Sequence, residues 1–131
     1  MLLAICLGAG FSIYAQKIPP AAVATAFKQK FQDVKKVGWE HERNGEWEAE
    51  FDHNGTEMSA NFSADGKWLE TEMEINLADL PAAVQSALKG KKVKEVARIL
   101  RVDGSTVYEA EVKHKDLLFD ESGKSLSEGK D

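Results

Sequence analysis

Gly45-Glu46-Trp47-Glu48-Ala49-Glu50-Phe51 alternates without a break. Trp47, Ala49 and Phe51 point one way, and Glu46, Glu48 and Glu50 point the other. A side-chain period of two with one apolar side marks a half-buried antiparallel strand. The pattern returns at Val107-Tyr108-Glu109-Ala110-Glu111-Val112, again with an aromatic residue, an alanine and a large apolar residue at alternate positions. Two such strands, about sixty residues apart, suggest a fold built by repetition.

Upstream of the first strand, Pro19-Pro20 precedes Ala21-Ala22-Val23-Ala24-Thr25-Ala26-Phe27-Lys28-Gln29-Lys30-Phe31. Proline suits the start of a helix, where its missing N–H would have had no partner. Val23, Phe27 and Phe31, extended by Ala26 and Val34, make one buried stripe. Alternation resumes from Val37 to Glu42, with Val37 and Trp39 on one side and Glu40 and Glu42 on the other. Asn44-Gly45 predicts a type I′ hairpin, which needs positive φ at both residues. Asp52-His53-Asn54-Gly55 is a second turn, Thr56 to Phe62 a third strand, and Ala64-Asp65-Gly66-Lys67 leads into a fourth from Trp68 to Ile75.

The plan then starts again. Pro-Ala-Ala-Val stands at Pro20 and at Pro81, and Val93-Lys94-Glu95-Val96 matches Val34-Lys35-Lys36-Val37. Asp103-Gly104 takes the place of Asn44-Gly45, and Phe119 to Lys124 echoes Phe62 to Lys67. The expected fold class is α+β, with two tandem helix-plus-antiparallel-meander repeats and helices packed on one face of the sheet. The expected parts are a signal peptide at 1–15, a first repeat at 16–76 and a second at 77–131. The polar tail Ser125 to Asp131 is expected to fray.

Helix starts of the form Leu/Ile-Pro-x-Ala-Val, an aromatic-Glu-Ala-Glu strand and Phe-x-x-x-Gly-Lys hairpins resemble the PepSY-like family of bacterial secreted proteins. That family's fold is similar to the β-lactamase-inhibitor-protein fold. The resemblance covers nearly all of the chain after residue 15. It implies a periplasmic or secreted module that binds or inhibits another protein, and it offers no catalytic residues to carry over. The inhibitor's disulfides have no counterpart in this chain.

A chain of 131 residues holds one domain with a real core. Its net charge of −5 argues against a nucleic-acid partner. Met1 to Ala15 carries no charge and is short of the roughly 20 apolar residues of a permanent anchor. It reads as the apolar region and cleavage site of a signal peptide. Its positively charged start is missing, which is consistent with Met1 lying inside a longer signal. No membrane insertion is expected after cleavage. Cys6 is the only cysteine and falls inside this segment, so the mature chain is expected to lack disulfides, thiol nucleophiles and thiolate metal sites.

No enzyme is expected. His41, His53 and His114 are isolated, and Ser59 and Ser105 stand in no nucleophile motif. No cofactor and no metal ligand set is expected, although Asp52-His53-Asn54-Gly55 and Asp120-Glu121-Ser122-Gly123 offer oxygens. Neither matches the twelve-residue calcium loop. The informative feature is a row of acids opposite the apolar alternates: Glu40, Glu42, Glu46, Glu48, Glu50, Glu57, Glu70, Glu72, Glu74, Glu109 and Glu111. Trp68 joins that side by parity, and an exposed aromatic among charges suits a recognition hot spot. Glu48, Glu50, Trp68, Glu70, Glu72, Glu109 and Glu111 are the candidate partner-binding residues. The expected function is a secreted or periplasmic binding module that meets a protein or a cationic ligand in the cell envelope. The alternative is a calcium-responsive or structural envelope protein.

Overall fold

The computed structural model describes residues 17–128; the signal-peptide reading of 1–15 and Cys6 fall outside them. Helix α1 (Ala21–Lys30) is followed by strands β1 (Gly38–His41), β2 (Trp47–His53), β3 (Thr56–Phe62) and β4 (Trp68–Ile75). A short 3-10 turn (Leu77–Asp79) leads to α2 (Ala82–Ala87), then β5 (Val93–Arg101), β6 (Thr106–Val112), β7 (Lys115–Phe119) and β8 (Ser125–Glu128). The strands form one antiparallel eight-stranded sheet in sequence order. The class is α+β. By density of internal contacts the chain divides into a unit ending at Thr71 and a unit starting at Glu72.

In the first unit, Val23 and Phe27 are the fully buried positions of α1. Phe27 meets Trp39, Phe51 and Phe62 edge-on, with ring centroids 5.4, 5.1 and 6.4 Å apart. These are the apolar alternates of β1, β2 and β3, so the two periodicities of helix and strand interlock. Edge-to-face pairs at such separations contribute about 0.5–1.5 kcal/mol each beyond area burial. Proline starts the helix as expected, and the Pro20 carbonyl accepts from Val23 and Ala24. In the second unit, Leu80, Val84 and Leu88 gather with Val96, Tyr108, Ala110, Val112 and Phe119. Trp47 and Tyr108 are each only 8 % exposed.

The hairpins set the registers. Those between β1 and β2, β3 and β4, β5 and β6, and β7 and β8 share one form. Each closes over three loop residues, with the glycine N–H bonded back three residues (Gly45 to Glu42, Gly66 to Ser63, Gly104 to Arg101, Gly123 to Asp120). The expected type I′ turn at Asn44-Gly45 is therefore not the one formed. Gly45 alone has positive φ, and Asn44 uses its side-chain oxygen to accept the Glu46 N–H (3.0 Å). The type I′ pair is Asn54-Gly55, with φ 55° and 84°, and Lys113-His114 repeats it at 53° and 64°. The tail is a second correction. Ser125–Glu128 does not fray but pairs with β7 as β8, because Leu117, Leu118 and Phe119 offer it a ladder.

Candidate functional site

The acidic side of β1, β2 and β3 is crowded rather than simply solvated. Glu40 and Glu48 oppose each other directly, as do Glu48 and Asn61, Glu50 and Ser59, and Asp52 and Glu57. Glu48, Ser59 and Asn61 are 3 %, 3 % and 2 % exposed. Alternation identified this side, but it could not give depth. Glu48 lies on a strand flanked by β1 and β3, whose side chains occupy both its flanks. The expectation of a water-facing row fails at Glu48, Glu72 and Glu109, all of which are buried. Glu50, Glu70 and Glu111 are half-buried.

Burial pushes the Glu48 carboxyl up to about 9, helped by its hydrogen bond to Glu50 and the nearby charges of Glu42, Glu50 and Glu40. Burial also raises Glu50, opposed by that same hydrogen bond and reinforced by Glu40 and Glu57. Glu48 thus keeps the proton and donates it, while Glu50 accepts. Glu42 is raised by burial and by Glu40, Glu46 and Glu50, with Lys17 acting the other way. Asn61 Nδ2 donates to Glu46 Oε2 at 3.2 Å. One oxygen each from Glu40, Glu42 and Glu48 lies within 4.8 Å of the other two. Glu40 and Glu42 thus belong with Glu48, a grouping that sequence spacing did not single out. The β1–β2 hairpin register is the signal that would have found it.

In the second unit, Glu109 stands between Ala97 and Leu118 across the ladder, and Glu111 between Glu95 and Asp116. Ile99, Val107 and Leu118 form a small buried cluster on the same parity as Glu109. Burial, and then the charge of Glu111, raises the Asp116 carboxyl. Lys94 approaches Glu111 at 3.8 Å, a long pair with an exposed lysine and of little energetic weight.

Trp68 departs from its parity-based placement. It is half-buried, its indole N–H donates to Thr71 Oγ1 (2.9 Å), and the Lys30 ammonium from α1 sits 3.8 Å above the ring. The ring already holds a cation from its own unit. The two turns with calcium-type oxygens use them internally: Asp52 Oδ1 accepts from Gly55 N–H, and Asp120 Oδ1 from the N–H groups of Ser122 and Lys124. His53 Nε2 lies 3.0 Å from Asp33 Oδ2, and the His41 ring stacks on Trp47 at 4.5 Å. Among the described residues, no helix is long and apolar enough to cross a membrane.

The family model described as "Putative beta-lactamase-inhibitor-like, PepSY-like" matches residues 45–127. Among curated proteins none matches by sequence. A BLIP-like protein from Bacteroides fragilis superimposes with a TM-score of 0.71 at 27 % identity, covering 88 % of each chain. A DUF2874 family protein from Bacteroides ovatus gives 0.77 at 21 % identity, covering 86 % of this chain and 88 % of its own. A protein from Bacteroides eggerthii, described as a "putative periplasmic" one, gives 0.78 at 20 % identity, over 86 % and 89 %. At these lower identities the likeness is one of fold.

Proposed function

The chain belongs to the PepSY-like family, and from that premise we propose a periplasmic or secreted binding module without catalytic machinery. Its ligand is a protein that presents lysine or arginine to the acidic side of the strands. The observation that carries this reading is the crowding of carboxyls within each unit. Glu42, Glu48 and Glu50 in one unit and Asp116 in the other all have carboxyls raised by burial and by neighbouring acids. Like charges directly opposed across a ladder destabilise it, so a cationic partner would remove a cost the isolated fold carries. The BLIP-like relative from Bacteroides fragilis supports a module that works by binding. The periplasmic description of the Bacteroides eggerthii structure agrees with the signal-peptide reading of the first fifteen residues.

In this reading residues 16–76 and 77–131 are a duplication, each with a helix over the apolar side of its own meander. Two parallels support it. The hairpins follow the same order of forms in both halves. Gly66 lies beneath the Ala22 carbonyl at the start of α1, as Gly123 lies beneath the Ala83 carbonyl at the start of α2. Glu50 and Glu70 in the first unit, and Glu111 in the second, are then the contacting acids of their own units.

Photo-crosslinking in the producing cell tests this. A photoreactive phenylalanine derivative at Glu70 should trap a discrete protein adduct, weakened by high salt and by Glu50→Lys. The same adduct from Lys91, or none from Glu70, would overturn the reading.

A further inference from the structure

β1 and β2 place carboxylates where an antiparallel ladder tolerates them least. Glu40 and Glu48 are a directly opposed pair, and like charges there repel. Glu42 lies one residue past β1 and donates its N–H to the Glu46 carbonyl at 2.8 Å, closing the hairpin. Glu42 shares the parity of Glu40, so its side chain returns to the same side. One oxygen from each of the three carboxylates then falls within 4.8 Å of the others. Two oxygens on opposite sides of a calcium ion, each at about 2.4 Å, are separated by about 4.8 Å. Three oxygens that close together leave a point no more than about 2.8 Å from each, at most a few tenths of an ångström outside the calcium–oxygen range.

Acidic clusters are common on protein surfaces and mean little alone. This one contains a second, independent feature. Glu48 is 3 % exposed, and its Oε2 is buried with no hydrogen-bond partner. An acceptor removed from water and left unmatched bears its full desolvation cost. Asn61, opposite Glu48 on β3, gives a hydrogen of its Nδ2 to Glu46. The orphaned oxygen belongs to the same carboxylate that the cluster brings to Glu40 and Glu42.

We propose that Glu40, Glu42 and Glu48 bind a hard divalent cation, calcium foremost. The donors are all oxygen; His41 is stacked on Trp47 at 4.5 Å, and among the described residues no imidazole or thiolate joins the three. Such a set favours calcium, magnesium or manganese over zinc. Calcium accepts irregular geometry and two-oxygen contact from one glutamate better than magnesium does. Exposure grades from Glu48, buried, through Glu42, half-buried, to Glu40, exposed. The ion can reach the site from the Glu40 side, where water completes its shell. The spacing of these glutamates in sequence matches no calcium loop, because a hairpin and not a single loop assembles them. The site does not depend on the sheet engaging a protein, and either reading can fail without the other.

Trp39 and Trp47 adjoin Glu40 and Glu48 in the chain, so the site carries its own optical antenna. The full chain, stripped with chelator, is titrated with terbium by tryptophan-sensitised luminescence and with calcium by calorimetry. One saturable site is expected, with a calcium Kd at or below about 1 mM, the range of extracellular calcium modules. Calcium should displace terbium, and Glu40→Gln and Glu42→Gln should each weaken binding about tenfold or more. Glu74→Gln should leave it unchanged. No saturation by about 10 mM calcium, well past that range, would overturn the proposal. So would wild-type affinity in both variants, which would place the bound ion away from Glu40 and Glu42. Tighter binding of zinc than of calcium would overturn the donor argument.

Discussion

Replacing Gly66 with alanine should cost far more than replacing Gly45, although the two share a backbone conformation. Their φ values are +90° and +87°, and an L-residue in that left-handed region costs about 1–2 kcal/mol. At Gly45 an added Cβ would meet nothing within 4 Å, so Gly45→Ala should cost only that amount. At Gly66 it would lie 2.6 Å from the Ala22 oxygen and 2.9 Å from the Ala22 carbonyl carbon. Both are backbone atoms of the first turn of α1, which cannot swing aside as a flexible side chain would. The helix must shift instead, and with it the Phe27 ring that sits 5.1 Å from Phe51. Overpacking of this kind adds about 1–3 kcal/mol, giving about 2–5 kcal/mol for Gly66→Ala. The second unit supplies the same contrast. Gly123 would put a Cβ 2.5 Å from the Ala83 oxygen, and Gly104 would put one in open space. Urea unfolding followed by tryptophan fluorescence measures all four, with unchanged m-values required for comparison. Equal costs at Gly45 and Gly66 would refute the close approach of helix and hairpin.

Three further outcomes follow from single contacts. Lys113 and His114 hold φ of 53° and 64° without being glycine, so His114→Gly should stabilise by about 1 kcal/mol, read as a raised urea midpoint. Asp116 has a raised carboxyl, so the fold prefers it neutral. Below its ordinary value of 3.8 both states are protonated and nothing is lost. The penalty grows as pH rises through the folded value. Asp116→Asn should therefore stabilise at pH 7 and make no difference at pH 3. Asp33 is held below its ordinary value chiefly by the hydrogen bond from His53. That contribution is present above the unfolded value and lost as pH falls through the folded one, so His53→Ala should flatten the acid limb of the stability curve below about pH 4.

Most of the fold was legible because helix and strand periods differ, and this chain keeps both cleanly. Val23 and Phe27 declared the buried side of α1, and the Trp47-to-Phe51 alternation declared β2 and its inward face. Turn form was less legible. Asn-Gly suits a type I′ pair and also the end of a three-residue loop, and the Asn44 side chain bonding Glu46 decided for the latter. β8 was missed because Ser125-Leu126-Ser127-Glu128 has little apolar character of its own and takes its conformation from β7. The candidate site was legible only as a side of the sheet. Whether Glu48 is buried, or whether Trp68 is covered by Lys30, depends on neighbours brought from other elements. The trio of Glu40, Glu42 and Glu48 is likewise a product of register, visible only once β1 is laid against β2.

Charge reversal at the half-buried Glu50 tests the binding role most directly. A photoreactive residue at Glu70 should give one protein adduct in wild type, lost in the Glu50→Lys variant at unchanged urea midpoint. An adduct of equal yield in that variant, with the fold intact, would contradict it.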